Sequence, residues 1–224
     1  MPSTILVHGF TNNQIVLVHG NATGIEFAMY GRDKKYIDFT GFKNEIDIET
    51  AKIYHWHYIN EKYSLIETFN PFKFTQLYFD ERKYCSNPKA LENMRDYIEK
   101  EKPSILLGHS LGAFQIFNYI NKYDLPDSVK KVVFVQGAYP SHEELINPKV
   151  IDKIESKKLI IQNYHSIFDQ MLWIYTLAHF HTPGGLFGSK SNYIENIEFT
   201  RYSSGNPHLW SIKSREFAEL VLKN

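Results

Sequence analysis

Ser104-Ile105-Leu106-Leu107-Gly108-His109-Ser110-Leu111-Gly112-Ala113 is a short apolar run, a Gly-x-Ser-x-Gly turn and the start of an apolar segment. The run from Ser104 to Leu107 has the length and branching of a buried strand. From Leu111 to Lys122 the residues Phe114, Ile116, Phe117, Tyr119 and Ile120 form a wide apolar surface at helical spacing, as a helix packed on a sheet requires. Between the two, the serine must occupy a turn whose backbone conformation most residues avoid. Side chains two positions before and two after it would strike the neighbouring strand and helix, so both places need glycine. Such a turn projects Ser110 outward while the helix aims its first free amides at the same point.

Working outward from the turn, β-branched and aliphatic runs recur with helix-compatible segments between several of them. That alternation predicts an α/β fold whose central sheet is mostly parallel, buried on both faces and flanked by helices. The strands are expected at Ser3 to His8, Gln14 to His19, Ala51 to Tyr58, Ser104 to Leu107, Lys131 to Gln136, Lys158 to Gln162 and Ile194 to Tyr202. Pro88 to Lys102 reads as a helix with Leu91, Met94 and Ile98 on one face, stopped by Pro103. Ser214 to Leu222 closes the chain as another, with Phe217, Leu220 and Val221 inward. Near the start, Ile5-Leu6-Val7-His8-Gly9-Phe10 is nearly repeated by Ile15-Val16-Leu17-Val18-His19-Gly20-Asn21. The few residues between them leave no room for a crossover, which predicts an antiparallel N-terminal β-hairpin. Thr23 to Glu49 is compatible with a helix or with a pair of short strands. One domain over residues 1–224 is the simplest organisation for a chain of this length.

Gly108-His109-Ser110-Leu111-Gly112 resembles the Gly-His-Ser-Leu-Gly nucleophile elbow of the α/β-hydrolase superfamily, in the form common among lipases, including class 3 lipases, and carboxylesterases. The resemblance runs along most of the chain after the elbow and is thin between Thr23 and Glu49. It implies a mostly parallel central sheet, a serine, acid and histidine in that chain order, and a preference for ester or related acyl bonds. It implies no cofactor.

A serine hydroxyl is a weak nucleophile at neutral pH. It needs a histidine to take its proton and a carboxylate to hold that imidazole in one tautomer. In the order implied, the base follows the final strand, where His208 is the last of ten histidines. Gly205-Asn206-Pro207 before it makes a tight turn that can swing the imidazole back over the strand ends. His109 is expected to pack, because its side chain diverges from that of Ser110. His165, His179 and His181 come too early. For the acid, Asp169 is the only carboxylate in the loop Asn163 to Gln170 after the penultimate strand. A competing role for Asp169 is the N-cap of the segment that starts at Gln170. Asp152 and Glu155 precede that strand, on the wrong side of the sheet. An oxyanion hole takes two backbone N–H groups, one of them from Leu111, after the serine. His8-Gly9-Phe10 and His19-Gly20-Asn21 compete to supply the other. The hairpin reading favours Asn21, with Phe10 as second candidate.

Between acid and base, Met171 to Gly188 is strongly apolar and ends in glycine-rich punctuation. It reads equally as a lid over the acyl pocket, residues 171–188, or as core. His179 with His181, and His55 with His57, have spacings that invite a metal, but no third ligand falls beside either pair, so no metal is expected.

Composition narrows the partners. Lys plus Arg and Asp plus Glu both count 25, with no block of like charge, which argues against a nucleic-acid partner. Cys85 is the only cysteine, so no internal disulfide can form. The N-terminus lacks a basic start with a long apolar stretch, and no apolar run is long enough to span a bilayer, so a cytoplasmic protein without a transmembrane segment is expected. The substrate expected from the resemblance is a small acyl ester or a lipid. A thioesterase or an amidase would use the same machinery, and a catalytically silent binding protein of the same fold is the rival from another class.

Overall fold

The computed structural model describes residues 15–18, 51–54, 79–80, 82–200 and 207–223. Among the described residues, six strands form one sheet in the order β2-β1-β3-β4-β5-β6, every neighbouring pair parallel. They are β1 (Ile15–Val18), β2 (Ala51–Tyr54), β3 (Ile105–His109), β4 (Lys131–Val135), β5 (Ile160–His165) and β6 (Glu195–Glu198). The predicted parallel sheet is therefore present. Strands β3 and β5 run further toward the site than their apolar runs suggested, because ladder pairing carries Gly108, His109 and the polar Asn163 to His165 along. The expected strand Ser3 to His8, the hairpin it would make, and Thr23 to Glu49 lie outside the described residues.

Parallel strands need covered faces, and alternation assigns the residues to each. On one face Leu106, Val132, Phe134 and Ile161 pack under α1 (Pro88–Glu101), α2 (Leu111–Lys122) and α3 (Pro148–Glu155), through Leu91, Met94, Ile98, Phe117, Ile120 and Val150. On the other, Ile105, Leu107, Val133, Val135 and Tyr164 meet Phe217, Ala218 and Val221 of the C-terminal helix α7 (Arg215–Lys223). Each such fully buried aliphatic or aromatic side chain contributes roughly 1.5–3 kcal/mol. Between β5 and β6 lie α4 (Gln170–His179) and the single turn α5 (Gly184–Phe187), and α6 (Pro207–Lys213) precedes α7. Among the described residues no helix is long and apolar enough to cross a membrane.

The strand order also says where a ligand belongs. The chain steps from β1 outward to β2, then returns to the opposite side of β1 to lay down β3, so the direction of winding reverses between β1 and β3. Crevices at the carboxyl ends of strands on either side of such a reversal are where parallel α/β sheets bind ligands. Ser110 directly follows β3.

Candidate active site

Ser110 has φ 54° and ψ −120°, a strained conformation for a residue with a β-carbon. The neighbouring strand holds it there: the Ser110 amide donates to the Val135 carbonyl at 3.0 Å, and the Ser110 carbonyl accepts from the Ala138 amide at 3.0 Å. Gly108 lets the helix close over the turn. A β-carbon at Gly108 would lie 2.7 Å from the Ala113 Cα and 2.8 Å from its nitrogen, both backbone atoms. Ser110 stands at the N-cap of α2 yet makes no side-chain capping bond, so its hydroxyl is not spent on the helix. Leu111 begins α2, and its amide is among those that an α-helix leaves without an internal acceptor.

Asp169 ends the turn after β5 and is fully buried. Its two oxygens have different partners. Oδ2 accepts from His208 Nδ1 at 2.6 Å, and Oδ1 accepts from the Leu172 amide at 3.1 Å, capping α4. The cap weighed in the sequence is present, and the same carboxylate also pairs with a histidine. His208, 5% exposed, sits at the start of α6 rather than in a loop. Proline at the first helical position is the signal for that helix, since its fixed φ suits the place and its missing N–H costs nothing there.

His109 packs, as its place in the turn predicts, and also makes a polar contact that the sequence does not announce. It is buried, its Nε2 lies 2.8 Å from the carbonyl oxygen of His208, and the two imidazole rings stand 4.5 Å apart. A carbonyl only accepts, so His109 carries its proton on Nε2. The contact joins residues 99 apart in sequence, and no local pattern announces it. The structure thus joins Asp169, His208 and His109 by direct contact, and Ser110 stands beside this group only as the chain neighbour of His109. Asn21 and Phe10, the candidates for the second oxyanion amide, lie outside the described residues.

Ser211, one turn after His208, places its Oγ 3.2 Å from the same His208 carbonyl and 2.5 Å from Gln136 Oε1. Gln136 is the first residue after β4, at φ 48°, and is fully buried. The turn α5 is stitched to the same exits: the Gly184 and Gly185 amides donate to Tyr139 and Gly137, and Ser166 donates to Gly185. His165, at the end of β5, has its pKa lowered by burial, with Glu198 acting in the opposite direction.

Within the apolar segment the helix α4 is two-sided. Leu172 and Tyr175 are buried, whereas Ile174 and Leu177 are exposed, Trp173 is partly so, and Phe180 just beyond the helix is 95% exposed. His181 Nε2 accepts from the Tyr175 hydroxyl at 2.9 Å and faces Arg82 Nη2 at 3.4 Å, so that nitrogen is engaged by protein donors. His55 and His57 lie outside the described residues, and among the described residues no three His, Cys, Asp or Glu side chains cluster as metal ligands would. Cys85 is buried with its thiol donating to the Leu111 carbonyl.

No family model matches the chain, and no curated protein matches it. Among solved structures it is similar to the esterase domain of a Rhodothermus marinus protein, with 12% identity over 97% of this chain and 86% of that chain and a TM-score of 0.43.

Proposed function

We propose that the chain is a serine hydrolase of the α/β-hydrolase type that cleaves a carboxylic ester through an acyl-enzyme on Ser110. The observation that carries this reading is the buried 2.6 Å pair of Asp169 and His208, in a chain whose Ser110 backbone is held at φ 54° on a strand-to-helix turn. A fully buried carboxylate is costly unless it is paired, and a buried imidazole with its Nδ1–H fixed to that carboxylate presents Nε2 as a base. Few structural needs call for both that pair and a strained, uncapped serine in one chain.

In the proposed reaction His208 Nε2 removes the Ser110 proton as Oγ attacks the ester carbonyl. The Leu111 amide, with that of Asn21, binds the tetrahedral oxyanion, and Asp169 stabilises the imidazolium. His208 then protonates the departing alkoxide, leaving an acyl-serine, and water activated by the same imidazole returns the acid and the free serine. The reaction draws on no group beyond these side chains and amides. A single domain spans the chain, and residues 171–188 cover the acyl side of the pocket, a placement supported by the exposed apolar side chains of Trp173, Ile174, Leu177 and Phe180.

The test is turnover of p-nitrophenyl esters from acetate to palmitate together with fluorophosphonate labelling. Ser110→Ala is expected to lose on the order of 10⁴-fold in kcat and all labelling, with its thermal unfolding unchanged. Near-normal turnover in that folded variant rules the reading out.

A further inference from the structure

His208 opens a helix of only seven residues, α6. So short a helix has little rigidity of its own. A general base must nevertheless be held within about 0.5 Å of its working position. Asp169 restrains only the side chain, through Nδ1. The backbone of His208 is tied separately: its carbonyl oxygen lies 2.8 Å from His109 Nε2 and 3.2 Å from Ser211 Oγ, and Ser211 is in turn 2.5 Å from Gln136 Oε1. All four residues are buried. The one hydroxyl proton of Ser211 can serve only one of these acceptors, and Gln136 Oε1 is the closer, so the tie on the His208 carbonyl is that of His109, at the end of β3, while Asp169 follows β5. Two strand ends therefore fix one histidine.

We propose that His109 is a positioning residue: its Nε2–H anchors the His208 carbonyl to the end of β3, the strand that also delivers Ser110, so that serine and base are held in register by one piece of backbone. Its kinetic consequence rests on the serine hydrolase reading, whereas the tie to His208 does not. Ring packing alone would be satisfied by any aromatic side chain. The anchor needs a donor at the reach of Nε2.

Two substitutions separate these roles. His109→Phe keeps a ring and removes the donor, and His109→Gln removes the ring and keeps an N–H at about the reach of Nε2. They are compared by kcat and KM on a neutral p-nitrophenyl ester and by the downfield proton resonance of the short His208 Nδ1–H to Asp169 bond, assigned by its loss in His208→Gln. A displacement near 1 Å costs roughly 10²-fold. His109→Phe is therefore expected to lower kcat by roughly 10–100-fold with KM little changed, and to shift or broaden the resonance. His109→Gln is expected to restore both. If Phe does not fold at this buried place, His109→Asn replaces it, because its amide reaches only as far as Nδ1 would. The proposal is overturned if the donor-less variant keeps the wild-type kcat and resonance, or if it and the Gln variant lose kcat alike while the resonance stays intact. Absence of ester turnover in the wild-type protein would count against the hydrolase reading alone, and the resonance comparison would still decide the role of His109.

Discussion

Asp169 uses each carboxylate oxygen once, for His208 and for the Leu172 amide, and the two functions respond differently to substitution. Asn keeps a carbonyl oxygen that can cap α4 but presents an NH₂ to Nδ1, which forces the imidazole into the wrong tautomer. Asp169→Asn should therefore cost roughly 10⁴-fold in kcat with unfolding stability within about 0.5 kcal/mol of wild type. Asp169→Ala should lose a similar factor in kcat and also about 1 kcal/mol of cap, while Asp152→Asn on α3 leaves turnover unchanged. Ester kinetics and urea unfolding on the three variants check this, and equal behaviour of Asp152→Asn and Asp169→Asn would remove Asp169 from its role. Gly108 gives a second test at this scale. A methyl there meets the backbone of Ala113 rather than a movable side chain, so Gly108→Ala should destabilise by roughly 1–3 kcal/mol and misplace Ser110. As candidates, Ser110 and Asp169 stand out in sequence because each follows an apolar strand run, and His208 because the resemblance puts a histidine after the last strand, although that strand, Glu195–Glu198, is mostly polar. The anchor by His109 does not, because it depends on how α6 docks across the end of β3.

Helix α4 shows how one segment divides between competing readings. Leu172 and Tyr175 face inward and belong to the core, so Leu172→Ala should cost roughly 2–5 kcal/mol and leave the ester-length profile alone. Phe180, almost fully exposed, should lose less than about 0.5 kcal/mol on truncation to Ala. If the outer side contacts acyl chains, Trp173→Ala and Phe180→Ala should move the chain-length optimum, since each buried methylene contributes about 0.8 kcal/mol. Thermal unfolding and the acetate-to-palmitate series on the three variants separate the inner from the outer role; an unmoved optimum in both outer variants would mean that this surface does not touch substrate. The sheet was largely readable because buried parallel strands are continuous apolar runs, and Pro88 to Lys102 and Leu111 to Lys122 because their apolar positions recur at helical spacing. Helices α3 and α6 escaped notice. Each is one or two turns long with few apolar residues, and Asn147-Pro148 and Pro207 at their starts were the only local marks.

At the scale of the whole molecule, Lys131 couples the sheet to the chain's last helix. It lies at the start of β4, 4% exposed, with Nζ donating to the Val221 carbonyl of α7 at 2.7 Å. Burial lowers its pKa to about 8, against a smaller opposing effect of Glu195. The native state then releases this proton near pH 8 and the unfolded chain only near 10.5, so between those values the unfolded state binds more protons and stability rises with pH. Relative to Lys131→Met, the wild type should gain about 1–2 kcal/mol from pH 7.5 to 10, after allowing for solvent screening. The buried tyrosines Tyr119, Tyr139 and Tyr175, whose pKa values burial raises, act oppositely above about pH 10 and cancel in that comparison. Urea unfolding of both proteins across this range tests it, and parallel curves would mean that Lys131 stays protonated in the fold. The distance along the chain between Asp169 and His208, 39 residues, has a consequence in time. As the polypeptide is synthesised, the serine turn between β3 and α2 and the carboxylate after β5 both emerge before His208 exists. A growing chain on the ribosome therefore carries a strained serine with no base and an acid with no partner, and on the proposed chemistry it is inert toward the acyl esters around it. Reactivity arrives only when residues 207–213 are made and docked, so its onset waits on the part of the proposed machinery that is synthesised last.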